Sequence, residues 1–204
     1  MAAREAEIAK RGRGYLPHWE GGLRMYMVTF RLADSLPRAA LERIEFERRD
    51  ILRTAARQGR GPSPPELKRL ARLFTEKLEA YLDSGVGNCF LADERIAEVV
   101  ATALRKFDGA RYNLLAWCVM PNHVHVVMEV LGHNTLARIL HSWKSYSANQ
   151  ANAILGRNSK FWQREYFDHL LRTPLHVDRA IRYVVENPAK AGLQNWTWVW
   201  ARSP

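Results

Sequence analysis

Two histidines, His123 and His125, lie two residues apart in a run rich in valine, directly after Pro121-Asn122. Successive side chains of a β-strand point to opposite faces, so these two imidazoles are predicted to project from the same side. Their Cα atoms would lie roughly 6.5 Å apart, which lets both rings reach one divalent ion. Two ligands do not complete a metal site, so another element must supply a third group.

A later segment, which runs from Thr173-Pro174 to Asn187-Pro188, is predicted to form a helix. Threonine suits a helix N-cap and proline the first helical position, whereas the residue before a proline avoids the α region. The helix is therefore expected to stop at Asn187-Pro188. Its core face is predicted from the apolar residues at near-helical spacing, which are Val177, Ile181, Val184 and Val185.

Tyr183 falls roughly 140° from the centre of this stripe, and Asn187 is its i+4 neighbour. One helix could thus deliver a phenol and an amide oxygen to one place. A phenol is a weak nucleophile at neutral pH, and an anionic DNA phosphodiester repels attack. A hard divalent ion held by two imidazoles, an oxygen ligand and the phosphate would polarise the P–O bond. The alternative interpretation of Tyr183 is an ordinary amphipathic surface tyrosine.

The surrounding sequence predicts strands and helices that must position these groups. Strands are predicted at 25–32, 112–120 and 123–130, and helices at 38–57, at 65–83, from residue 92 or 93, and from 134–135 onward. Residues 1–14 are predicted to be a flexible basic arm, and residues 15–204 a single domain. The Gly/Pro cluster at 59–65 interrupts a helical stretch at about 48–84, which is interpreted as an insertion rather than a separate domain.

The composition of the 204 residues indicates a globular protein with a polyanionic partner. Hydrophobic residues make up 47%, the formal net charge is +10, and the pI is about 10.0. This charge favours nucleic acid, and the seven tryptophans and seven tyrosines could include base-stacking rings. Cys89 and Cys118 are predicted to be free thiols. No membrane segment or signal peptide is predicted, so a cytoplasmic protein is expected.

At this point the sequence resembles a known family. Met120–Val127, followed some sixty residues later by Tyr183–Leu193, is similar to the single-tyrosine, His-hydrophobic-His transposases. Within that family it most resembles the REP-associated tyrosine transposases. Three further segments fit this branch: Tyr15–Glu20, Val28–Pro37 and Phe161–His169. The resemblance covers roughly residues 15–193, and its combined order is more specific than the two histidines alone.

The resemblance implies an α+β fold in which a small antiparallel sheet, of the ferredoxin-like or RRM-like type, is flanked by helices. It makes His123 and His125 the metal pair, with Mg²⁺ or Mn²⁺ as cofactor. It makes Tyr183 the nucleophile, with a 5′-phosphotyrosine link and a free 3′-OH as products. Relatives often place a glutamine one turn after the tyrosine as third ligand, and this sequence has the shorter amide of Asn187 there.

The partner that the resemblance implies is single-stranded DNA folded into hairpins of palindromic repeats. The protein is expected to act at the nucleoid, as a monomer or a homodimer, and without a membrane. Five residues are candidate DNA contacts, two from the basic arm and three from the aromatic and basic segments: Arg11, Arg13, Trp19, Lys144 and Arg164.

Two other functions stay open from the residues alone. The sheet and basic surface could belong to a non-catalytic binder of structured DNA or RNA, although pure binding does not require the histidines and tyrosine together. A zinc hydrolase built on His123 and His125 would lack a third nitrogen or carboxylate ligand at motif spacing.

Other residues are weaker candidates for a functional role. His169 could contact a metal or phosphate or be structural, and Tyr146 is a rival nucleophile in principle. Trp196, Trp198 and Trp200 alternate, which would place them on one strand face for packing or base stacking.

Overall fold

The computed structural model describes residues 9–13, 16–20, 24–36, 38–67, 69–70 and 81–203; the side chains of residues 9–20 lie outside this description. The chain forms two compact units. One runs from Asp34 to Cys89, and the other comprises the described residues up to Ala33 and from Phe90 onward. The second unit contains the two histidines and Tyr183.

The strands of this second unit form a five-stranded antiparallel sheet and a separate two-stranded pair. The sheet has the order β6-β3-β5-β4-β7, and β1 pairs with β2. The bounds are β1 Ala9–Arg13, β2 Leu16–Glu20, β3 Met25–Arg31, β4 Tyr112–Val119, β5 His123–Val130, β6 Phe167–Leu170 and β7 Val199–Ala201. The sheet with its flanking helices confirms the predicted α+β class.

Four helices have complete bounds in the described residues. They are α1 Arg38–Arg57, α2 Glu94–Arg105, α3 Leu136–Ile154 and α4 Pro174–Lys190, and a short 3₁₀ turn covers Phe90–Ala92. The start of each of the last three helices follows its sequence signal, because an N-cap side chain accepts a hydrogen bond from a backbone N–H of the first turn. These caps are Asp93, Thr135 and Thr173. None of the described helices is both long and apolar enough to cross a bilayer.

The two faces of the five-stranded sheet carry separate apolar clusters. The larger cluster joins one face to α2 and α3, with Phe30, Val126 and Trp143 among its buried members. The smaller cluster lies on the other face under α4, and Val127 and Val184 belong to it. Alternating side chains of each strand therefore serve opposite cores. The histidine pair belongs to the face that α4 covers.

The unit from Asp34 to Cys89 has its own apolar interior. Among its described residues, the buried hydrophobic ones are Leu36, Ala40, Ile44, Ile51, Ala55 and Leu82. Helix α1 has the predicted bounds, and residues 64–67, 69–70 and 81–83 of the next predicted helix are helical, whereas residues 68 and 71–80 lie outside the described residues. The stretch at about 48–84 that was interpreted as an insertion lies inside this larger unit.

Two local predictions differ from the structure. Residues 9–13 of the predicted flexible arm form β1, because their backbone groups pair with β2. Helix α4 does not stop at Asn187 but continues to Lys190. Pro188 lies in the last turn, where its missing N–H removes only one helical bond, and Ala191 N and Leu193 N still donate to the carbonyls of Asn187 and Pro188.

Candidate active site

The site is centred on the imidazoles of His123 and His125. They leave β5 on the same face, and their Nε2 atoms lie 2.9 Å apart with the ring centroids 4.6 Å apart. His123 is 1% and His125 0% exposed. Both inner nitrogens therefore point at one buried location, as a shared ligand would require.

The outer nitrogen of each ring has a side-chain partner. Nδ1 of His123 lies 2.7 Å from Oδ1 of Asn122, and Nδ1 of His125 lies 2.8 Å from Oγ1 of Thr29. Asn122 and Thr29 are themselves buried. Thr29 reaches its ring because β3 pairs with β5 in a register that places Thr29 opposite His125. These contacts fix the orientation of both rings.

The pair is uncharged at neutral pH. Burial lowers the pKa of His125 to about 3, and burial together with the neighbouring His125 lowers the pKa of His123 well below its usual value. Neutral imidazole is the form that ligates metal ions. The electrostatics of the pocket thus favour ligation over the binding of an anion by imidazolium.

Helix α4 brings Tyr183 to this pair. Its half-buried ring lies edge-on to His125, with centroids 5.4 Å apart and an interplanar angle of 83°. Nζ of Lys190 lies 5.4 Å from the centre of the Tyr183 ring and forms an ion pair of 2.9 Å with Glu186. The ion pair with Glu186 holds this ammonium group beside the ring.

The buried stripe of α4 differs from the predicted one. Ala180, Val184, Asn187 and Pro188 are buried, whereas Val185 is 42% exposed. The stripe shifts because the helix continues past Asn187 and packs that residue and Pro188 inward. Tyr183 is consequently adjacent to the stripe, i+3 from Ala180 and i−4 from Asn187, rather than on the far side of the helix.

Asn187 supplies an oxygen that has no partner in the described part of the chain. The residue is 1% exposed, and its Oδ1 is buried without a hydrogen bond. Such an orphaned acceptor costs about 1–3 kcal/mol and calls for a functional explanation. Within the described residues, no three His, Cys, Asp or Glu side chains are grouped to hold a metal. Two imidazoles and this amide oxygen are therefore the candidate ligands for a divalent ion, and ligation by all three stays a prediction.

Arg31 is a functional candidate that the sequence reasoning missed. It is 6% exposed and lies directly across from His123 in the β3–β5 register, so its side chain is on the same face. Burial lowers its pKa to about 10, which leaves the guanidinium charged at neutral pH. No local signal in the sequence identifies Arg31, because its position opposite His123 depends on the register between β3 and β5.

The candidate DNA contacts are placed as follows. Nζ of Lys144 donates to the carbonyls of Gln163 and Arg164 at 2.6 and 2.8 Å, and burial lowers its pKa to about 8. Lys144 thus has a structural role in holding that loop. Arg164 is exposed. The side chains of the other three candidates, Arg11, Arg13 and Trp19, lie outside the described residues. Contact of any of the five with DNA stays a prediction.

Several residues that the sequence singled out lie away from the pair. His169 is exposed on β6, which β3 separates from β5, and Tyr146 is exposed on α3. The three tryptophans do not share a face: Trp196 packs against the cluster under α4, Trp198 against the opposite one, and Trp200 is 37% exposed. Of this segment only Val199–Ala201 is a strand, so the predicted alternation applies to neither Trp196 nor Trp198. Cys89 and Cys118 are thiols that are not joined in a disulfide, as predicted.

Residues 90–187, which include both histidines, Tyr183 and Asn187, match the profile of the family described as Transposase IS200 like. This part of the chain is therefore similar to the IS200-like transposases, whose members cleave and rejoin DNA. The resemblance to the REP-associated branch is confirmed by a relative from Haemophilus influenzae assigned as a REP-associated tyrosine transposase. The two are 25% identical over 91 residues, which are 40% of this chain and 52% of the relative. The chain thus spans about half the length of that relative.

Two solved structures are also similar at low identity. One is a REP-associated tyrosine transposase bound to a REP hairpin, with 14% identity, a TM-score of 0.48, and coverage of 94% of this chain and 81% of that chain. The other is a protein described as a transposase from Deinococcus radiodurans R1, with 14% identity, a TM-score of 0.33, and coverage of 88% and 97%.

Proposed function

We propose that this protein is a metal-dependent endonuclease and strand transferase that cleaves single-stranded repeat-hairpin DNA through a 5′-phosphotyrosine at Tyr183. One observation carries the proposal. The buried Nε2 atoms of His123 and His125 converge to 2.9 Å, with the Tyr183 ring against His125. Neither a hydrolase nor a simple binder requires a tyrosine in this position.

His123, His125 and Asn187 would hold Mg²⁺ or Mn²⁺ through two nitrogens and one oxygen. When bound, the ion supplies Lewis-acid polarisation of the phosphodiester. The phenol oxygen of Tyr183 attacks phosphorus, and the bond from phosphorus to the 3′ oxygen breaks. The phenol proton passes to solvent, and the 3′ oxygen takes up a proton to become a free 3′-OH. Attack by a 3′-OH on the phosphotyrosine reverses these steps and rejoins DNA.

Fixed positive charge around the site favours the anionic substrate. Arg31 holds a buried charge on the same face as His123, and Lys190 lies beside the Tyr183 ring. The Arg31 guanidinium would neutralise a phosphate next to the scissile bond. Three further parts of the proposal follow from the resemblance to the REP-associated branch. The substrate is a repeat hairpin, the protein acts at the nucleoid, and it is a monomer or a homodimer.

Replacement of Tyr183 by phenylalanine tests the nucleophile. A labelled hairpin oligonucleotide is incubated with protein in Mn²⁺, and covalent adducts are separated on a denaturing gel. Tyr183→Phe is expected to abolish the adduct and cleavage but to leave hairpin affinity within about twofold, because only the attacking oxygen is lost. Tyr146→Phe, which removes an exposed hydroxyl from α3, is the matched control and should form adducts like the unmodified protein.

The outcomes of this assay separate the candidate functions. Adducts that persist in Tyr183→Phe would contradict the assignment of the nucleophile. Hairpin binding without adduct or cleavage in any metal would support the non-catalytic binder. Cleavage without an adduct, together with tightly bound stoichiometric zinc, would support the hydrolase. Adduct formation at full rate in EDTA would exclude a role for the ion.

A further inference from the structure

The two outer partners of the histidine pair differ in their hydrogen-bonding chemistry. We propose that Asn122 and Thr29 are positioning residues that set the proton positions of the pair. Asn122 keeps the proton of His123 on Nδ1. Thr29 allows the proton of His125 to lie on Nε2 without an ion and on Nδ1 when an ion binds. The inference deepens the proposed function, because it rests on the pair being an ion site.

Asn122 is a fixed acceptor. Its amide oxygen cannot donate, so Nδ1 of His123, at 2.7 Å, must carry the proton, and Nε2 of His123 then presents a bare lone pair. The backbone around the amide is held on several sides. Leu32 N donates to Asn122 O at 2.9 Å, and Met120 N donates to His123 O at 2.8 Å. Asn122 is only 1% exposed, so water cannot replace its contact.

The short distance between the two rings then determines the proton on His125. Two bare Nε2 lone pairs 2.9 Å apart would repel each other, so with the lone pair of His123 fixed, Nε2 of His125 must donate. A neutral imidazole carries one proton, and Nδ1 of His125 is consequently bare. Thr29, at 2.8 Å, donates its hydroxyl proton to that nitrogen. The metal-free pair is thus closed by a hydrogen bond between the rings.

Binding of an ion requires a different arrangement, because both Nε2 lone pairs must face it. His125 loses the proton on Nε2 and gains one on Nδ1 through exchange with solvent, so that no net proton is taken up or released by the ring. Thr29 then changes from donor to acceptor by rotation of its hydroxyl. A hydroxyl can serve both states, whereas an acceptor-only or donor-only side chain would stabilise one of them.

Nitrogen NMR of histidine-labelled protein at neutral pH reads these forms directly. In metal-free protein, His123 is expected as Nδ1–H and His125 as Nε2–H. Saturation with Zn²⁺, used as a diamagnetic probe ion, should convert His125 to Nδ1–H and leave His123 unchanged. An Nε2–H form of His123, or a His125 that keeps its form when Zn²⁺ is bound, would overturn the inference.

Two substitutions at position 29 test the role of the hydroxyl. Valine has the shape of threonine and suits a central strand but neither donates nor accepts, so Thr29→Val is expected to weaken Zn²⁺ binding by about ten- to hundredfold in calorimetry. Thr29→Ser restores the hydroxyl and should bind within about threefold of the unmodified protein. Unchanged affinity in Thr29→Val, with native circular dichroism, would refute the role of Thr29.

Asn122 offers a second pair of variants should the valine protein fail to fold. Asn122→Asp keeps an acceptor and should retain the Nδ1–H form of His123. Asn122→Ala should lose this form and bind Zn²⁺ more weakly. Equal binding by both variants would contradict the inference.

Failure of this inference can be told apart from failure of the proposed function. The expected proton positions in a protein that forms no DNA adduct would refute only that function, and adducts with His123 in the other form would refute only this inference.

Discussion

The side chain of Asn187 is buried, and its Oδ1 lacks a hydrogen bond in the described part of the protein. In a residue with a purely structural role, this combination would only lower stability. On a helix that also carries Tyr183, one turn earlier, it supports the proposal that this oxygen is available to a metal ion.

Asn187→Leu separates these two effects. Leucine has a similar volume and no polar atoms, so the free energy of unfolding of the metal-free protein is expected to stay the same or rise by up to about 3 kcal/mol. Mn²⁺ affinity should fall about tenfold or more, because one ligand is lost. Urea unfolding in EDTA and Mn²⁺ titration measure the two quantities.

Ser147 provides the contrast for this prediction. It is equally buried, but its Oγ accepts from Nε1 of Trp162 at 2.9 Å and donates to the carbonyl of Trp143 at 2.6 Å. Ser147→Ala should therefore lower the free energy of unfolding by about 1–3 kcal/mol and leave Mn²⁺ affinity unchanged. A loss of stability in Asn187→Leu as large as in Ser147→Ala would show that the Asn187 amide is structural.

At the scale of elements, hydrogen bonds between Asn88 and Asp34 join the two ends of the unit from Asp34 to Cys89. The backbone N–H of Asn88 donates to Oδ2 of Asp34 at 3.0 Å, and the Asn88 side chain donates to the same oxygen. Gly87, which directly precedes Asn88, has a φ of +97°, and a Cβ there would lie 2.8 Å from the carbonyl oxygen of Asp34. Only glycine fits this closure.

Gly87→Ala is therefore expected to destabilise this unit strongly, since both the backbone angle and the Asp34 carbonyl must change. Gly59→Ala is the matched control, because Gly59 has a φ of +66° but no atom within 4 Å of the position that a methyl group would occupy. The control should cost only about 1–2 kcal/mol from the backbone angle. Hydrogen exchange of the α1 amides measures both, and equal exchange in the two variants would contradict the steric argument.

For the whole molecule, the formal net charge of +10 is the dominant property. A chain with this balance gains affinity for nucleic acid by releasing counterions from phosphates, so the proposed binding of a DNA hairpin is expected to weaken with salt. If three phosphates of a single strand are neutralised, an increase from about 50 to about 200 mM salt should weaken binding about twentyfold. Fluorescence anisotropy with a labelled hairpin measures this slope.

Tyr183→Phe should show the same slope, since the substitution removes no charge. Arg31→Gln should reduce it if the buried guanidinium neutralises a phosphate. Affinity that does not vary with salt would contradict a binding surface built on charge and would favour base stacking as the main source of affinity.

Local signals in the sequence predicted a large part of the fold. Strand alternation placed His123 and His125 on one side, and cap residues such as Thr173 marked the starts of helices. The bounds of α1 were predicted as observed. These features depend on a few neighbouring residues, whose backbone preferences are readable without the rest of the chain. The motif order around the histidines and Tyr183 was enough to indicate the family.

The tertiary structure decided which groups meet. Pairing of β3 with β5 places Thr29 and Arg31 opposite the histidines, and no local pattern contains that register. The packing of α4 buried Asn187 and left Val185 exposed, because the helix continued through a proline that local preference takes as a stop. The sequence alone determined the reactive residue types and the elements that carry them. Long-range packing determined their distances, their burial and hence their protonation.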